Sequence, residues 1–166
     1  MKALVVYESK VVARVVADGL GEAFEVRLAE AREIPSTEGF DLLVVGGPTH
    51  AFGLSRPGTR QDAARQGDVR PSTADVDIRE YLDVSPMLTG LTAATFDTKV
   101  DKPLPRGSAA HKAHRRLRRL GCRMARPPES FKVDGTTGPL VAGELERART
   151  WARELAAAGL ALRHTA

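Results

Sequence analysis

The chain has 166 residues, 42% of them hydrophobic, with 25 Lys and Arg against 21 Asp and Glu, a net charge of +4 and one cysteine. That cysteine closes no internal disulfide, and no apolar run approaches the roughly 18 residues of a membrane span, so disulfide-stapled and membrane-spanning classes are excluded. The N-terminus enters a strand without a signal-peptide layout, which predicts a cytoplasmic protein of one domain over residues 1–166, and a pI near 9.6 leaves acidic partners open, nucleic acid among them.

Ala3–Tyr7 reads as a first buried strand. The helix from Lys10 to Leu20 follows almost at once, with Val12, Val16 and Leu20 on one face beside Val11 and Val15, Ser9 as N-cap and Gly21 past the end. Phe24–Leu28 alternates apolar and polar, as an edge strand does. A loop through Ile34-Pro35-Ser36 leads to Leu42–Val45, an unbroken apolar run of the kind found in strands covered on both faces, which Gly46-Gly47-Pro48 is expected to end. Thr59 and Asp62 predict a short helix ending at Gly67, and residues 67–76 read as loop. Asp77 then caps a helix whose Ile78, Tyr81 and Leu82 share a face, with Glu80 completing a capping box.

Leu91–Phe96 is strand-like, and a loop from Asp97 to Ser108 follows. Ala109, Ala113, Leu117 and Leu120 predict the inner face of a helix that turns Lys112, Arg115, Arg116, Arg118 and Arg119 outward and stops at Gly121. The fifth strand is interrupted, because Pro127-Pro128 separates Cys122–Ala125 from Ser130–Val133. A last amphipathic helix, with Val141, Leu145, Ala148, Ala152 and Leu155 on one side, runs to about Gly159. This β-α alternation predicts a doubly wound, five-stranded parallel sheet with helices on both faces, and about five helices. In such sheets the loops at the carboxyl ends of the strands line the ligand crevice, which draws attention to Thr49, His50, Phe52 and Gly53.

Three stretches carry a family resemblance: Lys2–Ser9, Asp41–Gly53 and Ala93–Thr98. Together they resemble the flavodoxin-like family over nearly the whole chain. The resemblance implies a three-layer sandwich of sheet order 2-1-3-4-5 that binds flavin mononucleotide (FMN) and transfers electrons. It assigns the loop after the first strand, here Ser9, to the phosphate. Pro48, Thr49, His50, Phe52 and Gly53 after the third strand would flank the isoalloxazine ring, with Phe52 stacking on it. Phe96, Asp97 and Thr98 after the fourth strand would supply the opposite wall. An apolar sandwich of this kind tunes a flavin's potential, while the chemistry belongs to the cofactor.

One departure stands against these matches. The family holds the phosphate in a Ser/Thr- and Gly-rich loop whose backbone N–H groups lie at a helix N-terminus. Here Tyr7-Glu8-Ser9-Lys10 offers one hydroxyl and no glycine, about five residues short of the family pattern. Either the loop is truly deleted and the phosphate site lost, giving a binding or regulatory module without FMN, or the loop exists and is not represented in the sequence. The second reading is preferred because the gap falls within the motif and spares both neighbouring elements.

The remaining residues have plainer readings. Phe52 and Phe96 compete between ring contact and packing at strand ends. His50 has no assigned catalytic role, the scattered histidines and lone Cys122 lack metal-ligand spacing, and Cys122 suits a buried filler. The basic helix is foremost a solvated face, next a docking surface for an acidic redox partner. It lacks the aromatics that accompany single-strand nucleic-acid binding, which makes nucleic acid an unfavoured partner.

Overall fold

The computed structural model describes residues 1–49, 77–100, 107–135 and 139–164. In chain order these form β1 (Lys2–Tyr7), α1 (Lys10–Leu20), β2 (Glu25–Glu30), a 3-10 turn (Ala31–Glu33), β3 (Leu42–Pro48), α2 (Ile78–Val84), β4 (Thr92–Val100), α3 (Ala109–Arg119), β5 (Arg123–Met124), β6 (Glu129–Val133) and α4 (Glu144–His164). The helix expected near residues 59–67 lies outside the described residues.

The sheet order is β2-β1-β3-β4-β5, as expected, with β6 also paired to β4 and every strand pair parallel. β5 pairs with Thr92 and Ala93 and β6 with Phe96–Val100, so the two short strands share one edge of β4 in succession. Alternate side chains feed two cores. Ala3, Val5, Leu42, Val44, Ala94 and Phe96 meet α1 and α4 on one face, while Leu4, Val6, Leu43, Val45 and Ala93 meet α2 and α3 on the other. Covering both faces is what makes the strands unbroken apolar runs. α1 and α4 approach closely because Gly19 has no side chain: a Cβ there would stand 2.6 Å from that of Ala152.

Two strand ends differ from the sequence reading. β3 continues through Gly46, Gly47 and Pro48, which pair with Phe96, Asp97 and Thr98, and β4 runs on to Val100. Glycine and aspartate are poor strand formers, yet pairing with neighbours outweighs propensity. Leu145, expected inside, is 42% exposed. α4 also continues beyond Gly159, which lies near Phe24 with room for an ordinary side-chain contact.

Candidate functional site

Parallel alignment brings the carboxyl ends of β1, β3 and β4 side by side, with Tyr7 opposite Gly46 and Gly47 opposite Asp97. The Thr49 N–H donates to the Thr98 carbonyl at 2.8 Å, extending the ladder one residue past β3. Of the expected site residues, Pro48, Thr49, Asp97 and Thr98 therefore stand together at the ends of β3 and β4, and Ser9 stands two residues past β1. His50, Phe52 and Gly53 lie outside the described residues. Phe96 is a correction. It is a core residue, 2% exposed, whose ring meets Phe131 at 6.2 Å and Trp151 at 6.0 Å on the α4 side of the sheet. It occupies the space over Gly46, so it is not a wall of the crevice.

Asp97 is the hub of the β3–β4 end and is fully buried. Its Oδ2 accepts from the Thr49 hydroxyl (2.8 Å), the Ser108 hydroxyl (2.5 Å) and the Ala110 N–H (3.0 Å). Thr49 Oγ1 in turn accepts from the Ala109 N–H at 3.0 Å, and Ser108 Oγ accepts from the His111 N–H at 3.2 Å. The first three amides of α3, which a helix leaves unpaired, are thus all bound by side chains, and the Asp97 carboxylate sits at the positive end of the helix. Its Oδ1 is buried and accepts no hydrogen bond among the described residues. No local spacing marks this hub in the sequence, although Ser108 three residues before His111 is a legible cap.

The β1 end is built differently. Two residues, Glu8 and Ser9, join β1 to α1. The Glu8 N–H donates to the Gly46 carbonyl at 3.1 Å, and Ser9 is extended with no side-chain capping bond. The Glu8 carboxylate accepts from Ile78 N–H, the first amide of α2, at 3.3 Å. It also lies over Gly47, where a Cβ would come within 2.7 Å of Oε2. The short connection therefore closes between β1 and α1 and is anchored to β3 and α2. Glu8 is the residue that sequence reasoning missed. The only hint was an ionisable side chain directly after a buried strand.

A flavin would present two chemistries here. Its ring needs hydrogen-bond partners beside apolar surface, and the unused Asp97 acceptor between β3 and β4 suits a ring N–H. Its phosphate needs converging donors, and the described β1 connection supplies one side-chain hydroxyl and a carboxylate. The described residues supply one buried acceptor for the ring and do not fit the phosphate.

Two features lie elsewhere. Arg147 binds Glu129 and Glu144, donates to the Ser130 carbonyl and stacks over Phe131 at 4.7 Å. A cavity of about 530 Å³ beside β5 is lined by His114, Arg118, Cys122, Met124 and the segment Ala125–Pro128. Burial, with the nearby Arg118 and His111, lowers the His114 pKa. Among the described residues, no group of three His, Cys, Asp or Glu is placed to hold a metal ion, and no helix is long and apolar enough to cross a membrane.

No protein-family model and no curated protein matches the chain. Solved structures do. An archaeal flavodoxin aligns over 96% of this chain and 99% of its own at 13% identity and a TM-score of 0.64. Flavodoxin 2 from Bacillus cereus aligns over 95% and 99% at 17% identity and a TM-score of 0.65. Rubredoxin oxygen:oxidoreductase from Desulfovibrio gigas aligns over 98% of this chain but 37% of its own, at 19% identity and a TM-score of 0.59. The class defined is a flavodoxin-like α/β sandwich. At such low identity the likeness extends to the fold alone.

Proposed function

We propose that this chain is a flavin-binding electron-transfer module, one cytoplasmic domain over residues 1–166, with FMN the cofactor form that its flavodoxin relatives suggest. The observation that carries the reading is the cluster at the ends of β3 and β4, where the Thr49 N–H extends the ladder to Thr98 and Asp97 Oδ1 is a buried acceptor with no hydrogen bond among the described residues. A buried polar atom without a partner calls for one, and in this reading a ring N–H would supply it on binding. Bound there, a flavin supplies one- or two-electron transfer, and the protein orients the ring and excludes water. His50, Phe52 and Gly53 complete the ring site in this reading. Exposed Arg115, Arg118 and Arg119 on α3 offer a face to an acidic redox partner.

The test is direct. Purified protein should quench the fluorescence of added flavin with a saturable isotherm, and the complex should absorb in the visible region. The short β1–α1 connection favours a second reading, a binding or regulatory module without cofactor, and the absence of any quenching would establish that reading in place of the first.

A further inference from the structure

Among the described residues, α1, α2 and α3 begin near the carboxyl ends of β1, β3 and β4, and a helix start is where a fold of this kind finds donors for an anion. Two of these starts are already bound by the protein's own side chains, carboxylates among them. At α3 the amides of Ala109, Ala110 and His111 are bound by Thr49, Asp97 and Ser108. At α2 the Ile78 amide is bound by Glu8 and the Glu80 amide by Asp77, which is 1% exposed. Of these three, α1 begins with no side-chain capping bond among the described residues, and the two residues before it form no concave run of amides, since the Glu8 N–H is directed to Gly46.

The register puts the two carboxylates at one place. Glu8 lies over Gly47, and Gly47 is paired with Asp97 on the adjacent strand, on the same α2–α3 face of the sheet. Neighbouring strands are about 4.8 Å apart, so a doubly charged phosphate brought to the β1 end would approach two carboxylates that already take helix amides. Lys10, the first residue of α1, is exposed, and its attraction is screened at ordinary salt.

Resting on the flavin-binding reading, we propose that this site is blind to the phosphate: its ligand class is the flavin ring with its polyol chain, so that riboflavin serves as well as FMN. Asp97, with Thr49 and Ser108, fills the start of α3 from within the protein, and Glu8 puts a carboxylate two residues before α1.

Two fluorescence titrations of the intact protein near 0.15 M salt, one with riboflavin and one with FMN, test this. The expected result is dissociation constants within about threefold of each other, since a lone helix start adds little to an exposed anion at that salt. A preference for FMN of about tenfold or more would overturn the inference and leave the flavin-binding reading standing. Binding of neither ligand would overturn both. Inserting a Gly- and Thr-containing segment of about five residues between Ser9 and Lys10 should create a preference for FMN of at least about tenfold, by building a loop of amides before α1. A folded insertion variant that still treats the two ligands alike would show that this connection is not what removes phosphate recognition.

Discussion

The ring of Phe96 lies where Gly46 would carry a side chain: a Cβ built on Gly46 would stand 2.0 Å from the ring's Cζ. The two residues are register partners on β3 and β4, and Phe131 and Trp151 hold the ring from the far side. Gly46→Ala should therefore destabilise the protein by about 1–3 kcal/mol or more, the usual range for overpacking a core. Urea denaturation of Gly46→Ala, Phe96→Leu and the double variant checks this. The double variant should lose less than the sum of the singles, and full additivity would show that the ring can move aside.

Asp97 gathers three donors on one oxygen, so Asp97→Ala should cost at least about 3 kcal/mol, each stranded buried donor contributing roughly 1–3 kcal/mol. Thr49→Val removes the hydroxyl's bond to Asp97 and its acceptance from the Ala109 N–H but leaves the other two bonds to the carboxylate, and should cost less, roughly 1–2 kcal/mol. Equal losses in denaturant titrations would contradict the ordering, because they would mean that Thr49 and not the carboxylate holds α3 to the sheet.

Glu144 gives the acid limb of stability a definite sign. Its hydrogen bonds from Arg147, and further from the Lys132 amide, hold its carboxyl below the ordinary 4.5. A carboxyl depressed in the folded state contributes stability that is present above its unfolded value and is lost as pH falls through the folded value. Glu144→Gln should thus lower stability at neutral pH and flatten part of the decline below about pH 4.5. Parallel pH profiles for the two proteins would refute the assignment.

The Cys122 thiol is buried against α3, and burial pushes its pKa up to about 11. Thiolate is the reactive form, so alkylation at pH 8 should be slow in the native protein and fast in denaturant. Rapid labelling of the folded protein would show that the cavity beside β5 admits reagents to the sulfur.

The sheet was legible because buried strands and covering helices leave strong periodic marks: the runs around Val5 and Val44, the Asp77–Glu80 box and the Pro127-Pro128 break all signal locally. The strand ends were not. Gly46-Gly47-Pro48 and Asp97-Thr98 have loop composition, and only pairing with each other across β3 and β4 makes them strand. Phe96 looked like a pocket wall because the space that receives it is created by a glycine about fifty residues earlier, a relation no local window contains. The Asp97 hub and the reach of Glu8 to Ile78 are long-range in the same way. Ser9 has cap composition but makes no side-chain capping bond, so its legibility stopped at the helix boundary.

The divided fifth strand has a consequence for how copies of this chain meet. A sheet margin with a long row of free backbone groups is a template for a neighbouring molecule, and such templating leads to aggregates. Here one margin consists of two residues and then five, parted by Pro127-Pro128, and the later piece also takes an antiparallel bridge from Leu140 to Val133. The opposite margin, β2, displays exposed Glu25 and Arg27, whose charges oppose stacking of apolar strands. Neither border offers an incoming strand a long, flat, apolar run, so the parallel sheet ends at both sides in surfaces that discourage its own extension.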